Sequence, residues 1–250
     1  MGAVEVIFWV AAGLIVYTHV GYPLVLGLLA RLHSPSAPPA PAPELPSVSL
    51  IVAAHDEEAV VADKVRDALA LDYPRELLEV IVASDGSADA TAARAEAAGA
   101  DLVLDLGRAG KLETQNAAVD RSTGELLAFS DANATWTPDA LRELVAPFAD
   151  PNVGYVCGQA RFVDQGGSNQ EGAYWRLELA TRALESRLAG VTAGNGAIYA
   201  VRRSAYLRLG PASSHDLSFP FMLSKRGWRA VYAPRAVAEE NMVATVEGEF

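Results

Sequence analysis

The chain has 250 residues, 51% hydrophobic and 8% aromatic, enough apolar material for one large domain or two small ones, and this excludes a disordered protein. A formal net charge of -11 excludes a protein whose main task is gripping nucleic acid, because neutralising phosphates takes clustered Lys and Arg. Acidic residues converging on one cleft would suit a divalent cation instead, and the lone Cys157, in the apolar stretch V-G-Y-V-C-G, reads as a buried, inert thiol with no intrachain disulfide or cysteine-built zinc site open to it.

Residues 4–30 come first. From Val6 to Ala30 the sequence I-F-W-V-A-A-G-L-I-V-Y-T-H-V-G-Y-P-L-V-L-G-L-L-A carries no acid, Lys or Arg, which exceeds the roughly 20 residues that span a bilayer as a helix. A signal peptide needs a basic start, whereas this one has Glu5; a buried core helix is the other reading. His19, Gly21 and Pro23 predict a kink or a contact with another helix in the second half. Arg31 and His33 follow the span and nothing basic precedes it, so the positive-inside rule expects a single-pass membrane protein with its remaining domain in the cytoplasm. Residues 31–46 include S-P-S-A-P-P-A-P-A-P-E-L-P, a stiff extended spacer or, alternatively, a proline ligand for another module.

Residues 47–250 then change character. V-S-L-I-V-A-A (48–54), L-E-V-I-V-A-S (78–84), D-L-V-L-D (101–105) and E-L-L-A-F-S (125–130) read as strands, separated by helical segments at 59–70, 90–98 and 111–121. Apolar strands alternating with helices predict an α/β fold, a mostly parallel sheet with helices on both faces. Ligands of such sheets gather beyond the carboxyl ends of the strands. His55, Asp56, Glu57 and Glu58 follow the first strand, Asp85, Gly86, Ser87 and Asp89 the second, and Ser130, Asp131 and Asn133 the strand ending at Phe129. Asp89 is best placed to cap the next helix; Asp85 reads equally as cap, turn or ligand contact.

Four spaced motifs, A-A-H-D-E-E, A-S-D-G-S-A-D, G-K-L-E-T-Q-N-A-A and F-S-D-A-N, in this order, resemble glycosyltransferase family 2, the inverting nucleotide-sugar-dependent transferases. The resemblance implies a glycosyltransferase A-type domain, with a Rossmann-like nucleotide half at about 47–135 and an acceptor half at about 136–250. It implies donor-binding roles for Ala54, His55, Glu57, Asp85, Gly86, Lys111 and Asp131, with Lys111 on the diphosphate or, on its own chemistry, simply on a solvated helix face. Asp131 and Asn133 stand where the family has Asp-x-Asp, so the resemblance implies Mg2+ or Mn2+ held by them with phosphate oxygens and water.

The later segment S-S-H-D-L-S-F-P-F-M-L resembles the family stretch in which an acidic pair opens a helix. Asp216 matches the general base, or serves as a helix cap, and His215 replaces the first acid on the acceptor side, where it would tune the pKa of the base or hydrogen-bond the acceptor. A-G-N-G-A-I-Y-A-V-R-R resembles the glycine turn of the acceptor side, implicating Asn195 and Gly196, with a plain turn the other reading of Asn195. Residues 171–188 form an amphipathic helix that packs on the domain or lies on the membrane surface.

The expectation is a membrane-anchored glycosyltransferase of glycan or polysaccharide biosynthesis. It would move a sugar from a nucleotide-sugar donor, UDP-sugar favoured, to a hydroxyl of a glycan or lipid-linked acceptor, with inversion and metal assistance. The alternative is a non-catalytic nucleotide-binding or scaffold subunit, which Asn133 and His215 would suit. A Gln-x-x-Arg-Trp motif and further membrane helices, common in membrane-type members, do not follow the base segment in this sequence, which leaves a short form or a fragment as readings.

Overall fold

A computed structural model describes residues 2–32, 44–163, 172–210 and 213–241. Most of the 31–46 spacer therefore lies outside the described residues. Helix α1 (Ala3–Val16) passes through a π-helical turn, Tyr17–Gly21, into α2 (Tyr22–Leu32). Pro23 has no N–H to give the carbonyl four residues back, and the wide turn absorbs that break where the sequence predicts a kink. Together they form one 30-residue helix, long and apolar enough to cross a membrane by length and composition.

The globular part alternates β1 (Val48–Ala54), α3 (Val61–Leu69), β2 (Leu78–Asp85), α4 (Thr91–Ala97), β3 (Leu102–Leu106), α5 (Lys111–Arg121) and β4 (Leu126–Asp131). It continues with β5 (Ala134–Trp136), α6 (Ala140–Val145), β6 (Val153–Val163), α7 (Ala173–Leu188), β7 (Tyr199–Arg202), α8 (His215–Ser224) and β8 (Arg229–Asn241). The eight strands form one sheet in the order β3-β2-β1-β4-β7-β6-β8-β5. Strands β1 to β4 pair parallel, as do β6 and β8, whereas β7 runs antiparallel to both its neighbours and β5 antiparallel to β8. The sheet is thus parallel in its first half, as expected, and mixed in its second.

Alternate residues of the central strands serve opposite faces. Leu50, Val80, Leu126 and Ala128 join Leu141 and Leu144 of α6 and Trp136 in one fully buried layer. Ile51, Ile81, Leu127 and Phe129 meet Ala118 and Val119 of α5 and Phe219 and Leu223 of α8 on the other side. Each such large side chain contributes on the order of 2 kcal/mol by leaving water.

Helix α7 packs on the domain. Ser186 Oγ accepts the Tyr232 amide of β8 at 2.8 Å, and the Arg182 guanidinium lies 5.9 Å from the centre of the Tyr232 ring. Helix α7 also receives α2, whose Tyr22 hydroxyl donates to Glu185 Oε1 at 2.6 Å; Leu26 and Ala30, one turn apart, are the buried residues of α2. Cys157 is buried on β6, and burial pushes its thiol up to about 12, the inert state expected of it.

Candidate active site

Register aligns the carboxyl ends of three strands: Ala54 of β1 lies opposite Ser84 of β2, and Ala53 opposite Asp131 of β4. The acidic residues beyond them divide into two groups. Asp56, Glu58 and Asp89 are bound to each other's loops. Asp56 Oδ1 accepts the Ala88 amide at 2.8 Å, Glu58 Oε2 the Ala90 amide at 3.2 Å, and Asp89 the amides of Glu58 and Thr91 at 3.0 and 2.9 Å. These carboxylates hold the β1 and β2 loops together; the N-cap of α4 is Ala90, and Asp89, one position before it, accepts the amide of Thr91, the first residue of the helix. Glu57 instead lines a cavity of about 220 Å³ with Ala54, His55, Asp85, Lys111, Asp131 and Asn133.

Asp85 is buried at the rim of that cavity. Its carboxylate accepts the amides of Ala109 (2.7 Å) and Gly110 (2.9 Å) and the Thr114 hydroxyl (3.1 Å). Burial opposes its ionisation, yet these bonds and the neighbouring Arg108 hold it below the usual carboxylate range. His55 Nδ1 donates to the Asp85 carbonyl at 2.8 Å, so both polar ends of Asp85 are engaged by the protein. Gly86 sits in the left-handed region (φ +64), and a Cβ there would fall 2.7 Å from the Arg108 nitrogen. The 108–110 loop is thereby drawn onto the end of β2, which delivers Lys111 to the first position of α5.

The stretch S-D-A-N-A-T-W is clamped from two directions. Ser130 Oγ and Trp136 Nε1 both donate to the Ala197 carbonyl, at 3.1 and 2.9 Å, tying the turn to the 194–197 loop of the second half. Underneath, the ammonium of Lys64 donates to the Ala134 carbonyl and lies 5.4 Å from the Trp136 ring centre. Lys64 is 4% exposed, and burial pushes its pKa down to about 7 against the pull of Asp67, Asp131 and Glu240. The sequence carried a signal for it: a lysine on the same helical stripe as the buried Val61, Val65 and Ala68.

Lys111 Nζ forms an ion pair with Asp131 Oδ1. Gly196 leaves room for the pair, since a Cβ there would meet Asp131 Oδ2 at 3.1 Å. Burial and the Asp131 charge raise the carboxyls of Glu57 and of Glu240 above their ordinary value, marking a surplus of negative charge around this point. Among the described residues no cluster of three His, Cys, Asp or Glu side chains is placed to hold a metal. The donor set available is one carboxylate and the Asn133 amide beside it, which fits Mg2+ or Mn2+ only when diphosphate oxygens and water complete the shell.

A second cavity, about 300 Å³, adjoins the first and shares Lys111 and Asp131 with it; its remaining wall includes Gln115, Gly196, Tyr199, His215 and Asp216. Asp216 occupies the first turn of α8 behind Ser214 at the N-cap, and its carbonyl accepts the Gly194 amide at 2.7 Å. The Ser214 side chain makes no cap bond to the helix, and Asp216 is the acidic residue of its first turn. Asn195 donates to the Gly158 carbonyl (2.8 Å) and accepts the Ile198 amide (2.9 Å), so its side chain is engaged in shaping the turn. His215 is buried, with Nδ1 2.8 Å from the Tyr199 hydroxyl. Sequence reasoning missed Lys64, Gln115 and Tyr199 as parts of this site.

The sequence model of the family described as Glycosyltransferase like family 2 matches residues 46–248. The chain belongs to this family. Among its relatives, an N-acetylglucosaminyltransferase of Rhizobium meliloti (strain 1021) is 30% identical over 84% of this chain and 54% of its own length. A beta-monoglucosyldiacylglycerol synthase of Trichormus variabilis is 31% identical over 81% of this chain and 46% of its own. The chain therefore spans about half the length of these relatives. A solved mannosyltransferase from Pyrobaculum calidifontis, in complex with GDP-Man and Mn2+, superposes with a TM-score of 0.78 at 27% identity, covering 94% of this chain and 69% of that one. The family 2 chain thus has the glycosyltransferase A-type fold, a mixed sheet with helices on both sides and an apolar helix ahead of it.

Proposed function

We propose that this chain is a membrane-anchored glycosyltransferase. It moves a sugar from a nucleotide-sugar donor, UDP-sugar favoured, to a hydroxyl of a glycan or lipid-linked acceptor, with inversion. The observation that carries this reading is the pair of adjoining cavities with Lys111 and Asp131 as their common wall. One is lined by the residues that follow β1, β2 and β4, the expected nucleotide side; the other holds Asp216. The relatives' names and the neighbour's bound GDP-Man and Mn2+ support the same reaction class.

In this scheme Ala54, His55, Glu57, Asp85 and Gly86 form the wall against the nucleoside, and Lys111 turns from Asp131 to the diphosphate. Asp131 and Asn133 hold a divalent ion, which when bound neutralises charge on the leaving diphosphate. Asp216 takes the proton of the acceptor hydroxyl, whose oxygen attacks the anomeric carbon on the face away from the diphosphate. Asn195 and Gly196 shape the acceptor side through the turn they build. The apolar helix anchors the domain, with the cytoplasm as its expected compartment.

Release of nucleoside diphosphate from a panel of UDP- and GDP-sugars, with Mg2+ or Mn2+, tests the proposal. Asp216→Asn is expected to lower kcat by about 10²- to 10⁴-fold while leaving nucleotide affinity unchanged. Nucleotide binding without turnover of any donor, and without a metal requirement, would favour a scaffold subunit.

A further inference from the structure

Beneath the Asp216 cavity runs a buried polar chain that the reaction scheme above leaves unused. Gln115 of α5 donates through Nε2 to the Tyr199 hydroxyl of β7 at 3.3 Å, and that hydroxyl lies 2.8 Å from Nδ1 of His215 on α8. All three residues are at most 4% exposed.

The chain fixes where the imidazole proton sits. The Tyr199 oxygen accepts from the Gln115 amide, and its single hydrogen has one remaining partner in its hydrogen bonds among the described residues, His215 Nδ1. A buried hydroxyl keeps its hydrogen bonded, so Tyr199 donates to Nδ1 and the ring proton rests on Nε2. Nε2 itself has no hydrogen-bond partner among the described residues.

The ring cannot swing to find one. Phe129, Tyr199, Tyr206 and Phe219 surround it at centroid distances of 5.3, 6.0, 5.9 and 4.5 Å, each inclined by 70° or more. Burial first, and Lys111 second, push its pKa down to about 3 while Asp216 pulls the other way. The imidazole is therefore neutral where the family pattern has an acid. This matters for the neighbouring residue: an imidazolium beside Asp216 would stabilise the carboxylate and weaken it as a base.

We propose that His215 is a positioning residue, held by Gln115 and Tyr199 as the neutral Nε2–H form, which fixes the first turn of α8 so that Asp216 meets the cavity without a cationic partner. The boxed ring holds residue 215 from one side, and the Gly194 amide holds the Asp216 carbonyl from the other. This rests on the reading of Asp216 as the base.

The experiment is ¹⁵N NMR of the histidine rings in the full chain, with His215 assigned from the spectrum of His215→Asn among four histidines. The wild type is expected to show a neutral Nε2–H ring at pH 5. Tyr199→Phe should disturb that tautomer signature and lower kcat by about ten- to a hundredfold with donor KM unchanged. His215→Asn, whose amide oxygen can still accept from Tyr199, should retain more activity than His215→Leu. A protonated or Nδ1–H ring in the wild type overturns the proposal, with His215→Leu supplying the assignment if His215→Asn fails to fold. So does a Tyr199→Phe enzyme with unchanged kcat. Failure of the base reading looks different: Asp216→Asn would stay active while the tautomer signature remained.

Discussion

Replacing Lys111 with Met tests how Asp131 is occupied before the donor arrives. The ion pair is partly solvated, with the lysine side chain 55% and the aspartate 25% exposed, so water screens it. Breaking such a pair costs about 0.5–1 kcal/mol. A divalent ion on Asp131 would also feel the retained ammonium, and two charges against one at about 6 Å in a water-like medium repel by about 1 kcal/mol. Removing both obstacles gives about 1.5–2 kcal/mol, or an increase of about 10- to 30-fold in affinity for the free ion. The assay is Mn2+ titration of nucleotide-free protein, followed by the amplitude of the free-ion electron paramagnetic resonance signal, then repeated with UDP or GDP present. Wild type is expected to bind Mn2+ only with nucleotide; Lys111→Met should bind it measurably without, and should bind the nucleoside diphosphate more weakly. Tight Mn2+ uptake by the nucleotide-free wild type, or no gain in Lys111→Met, would refute the reasoning.

Lys64 makes stability depend on pH in a defined window. Its folded pKa of about 7 lies below the unfolded value near 10.5, so between these limits the unfolded chain holds the extra proton, and folding stability from this site rises with pH. Urea unfolding of wild type against Lys64→Met at pH 6, 8 and 10 should show the wild type gaining on the order of a few kcal/mol relative to the variant; a flat difference would mean the ammonium is not desolvated. Gly196→Ala places a methyl 3.1 Å from Asp131 Oδ2, so the carboxylate or the 194–197 loop must shift. Metal-dependent donor binding, measured by calorimetry, should weaken by about tenfold, with unfolding stability changed by no more than about 1–2 kcal/mol.

Local pattern made the first half of the sheet legible. The 48–54 strand and the 111–121 helix lie where periodicity places them, and the other strands and helices of residues 47–135 shift by one or two residues at their ends. The second half was not readable strand by strand, because its pairings are remote: β5 is three residues long and exists only against β8, with Ala134 opposite Glu240. The same limit governs the site. The edge carrying Asp85 and Asp131 follows from apolar runs that stop at polar residues, but the division of the acids does not. Asp56, Glu58 and Asp89 resemble Glu57 in sequence, and only the meeting of two loops more than 30 residues apart commits them to backbone amides.

The turn around Asp131 also shows why an amide can stand at Asn133. With the Glu57 and Glu240 carboxyls already pushed upward by burial and the Asp131 charge, a further carboxylate there would add repulsion, and among the described residues Lys111 is the one ammonium paired with Asp131. An amide oxygen adds a ligand without adding charge. The same turn hangs from Ala197, whose carbonyl holds Ser130 and Trp136, so the proposed metal position is built jointly by the two halves. In the proposed scheme, a donor that draws Lys111 away from Asp131 would alter the wall shared by both cavities, and an acceptor would meet a different surface after the donor binds. Donor before acceptor is the binding order that scheme predicts.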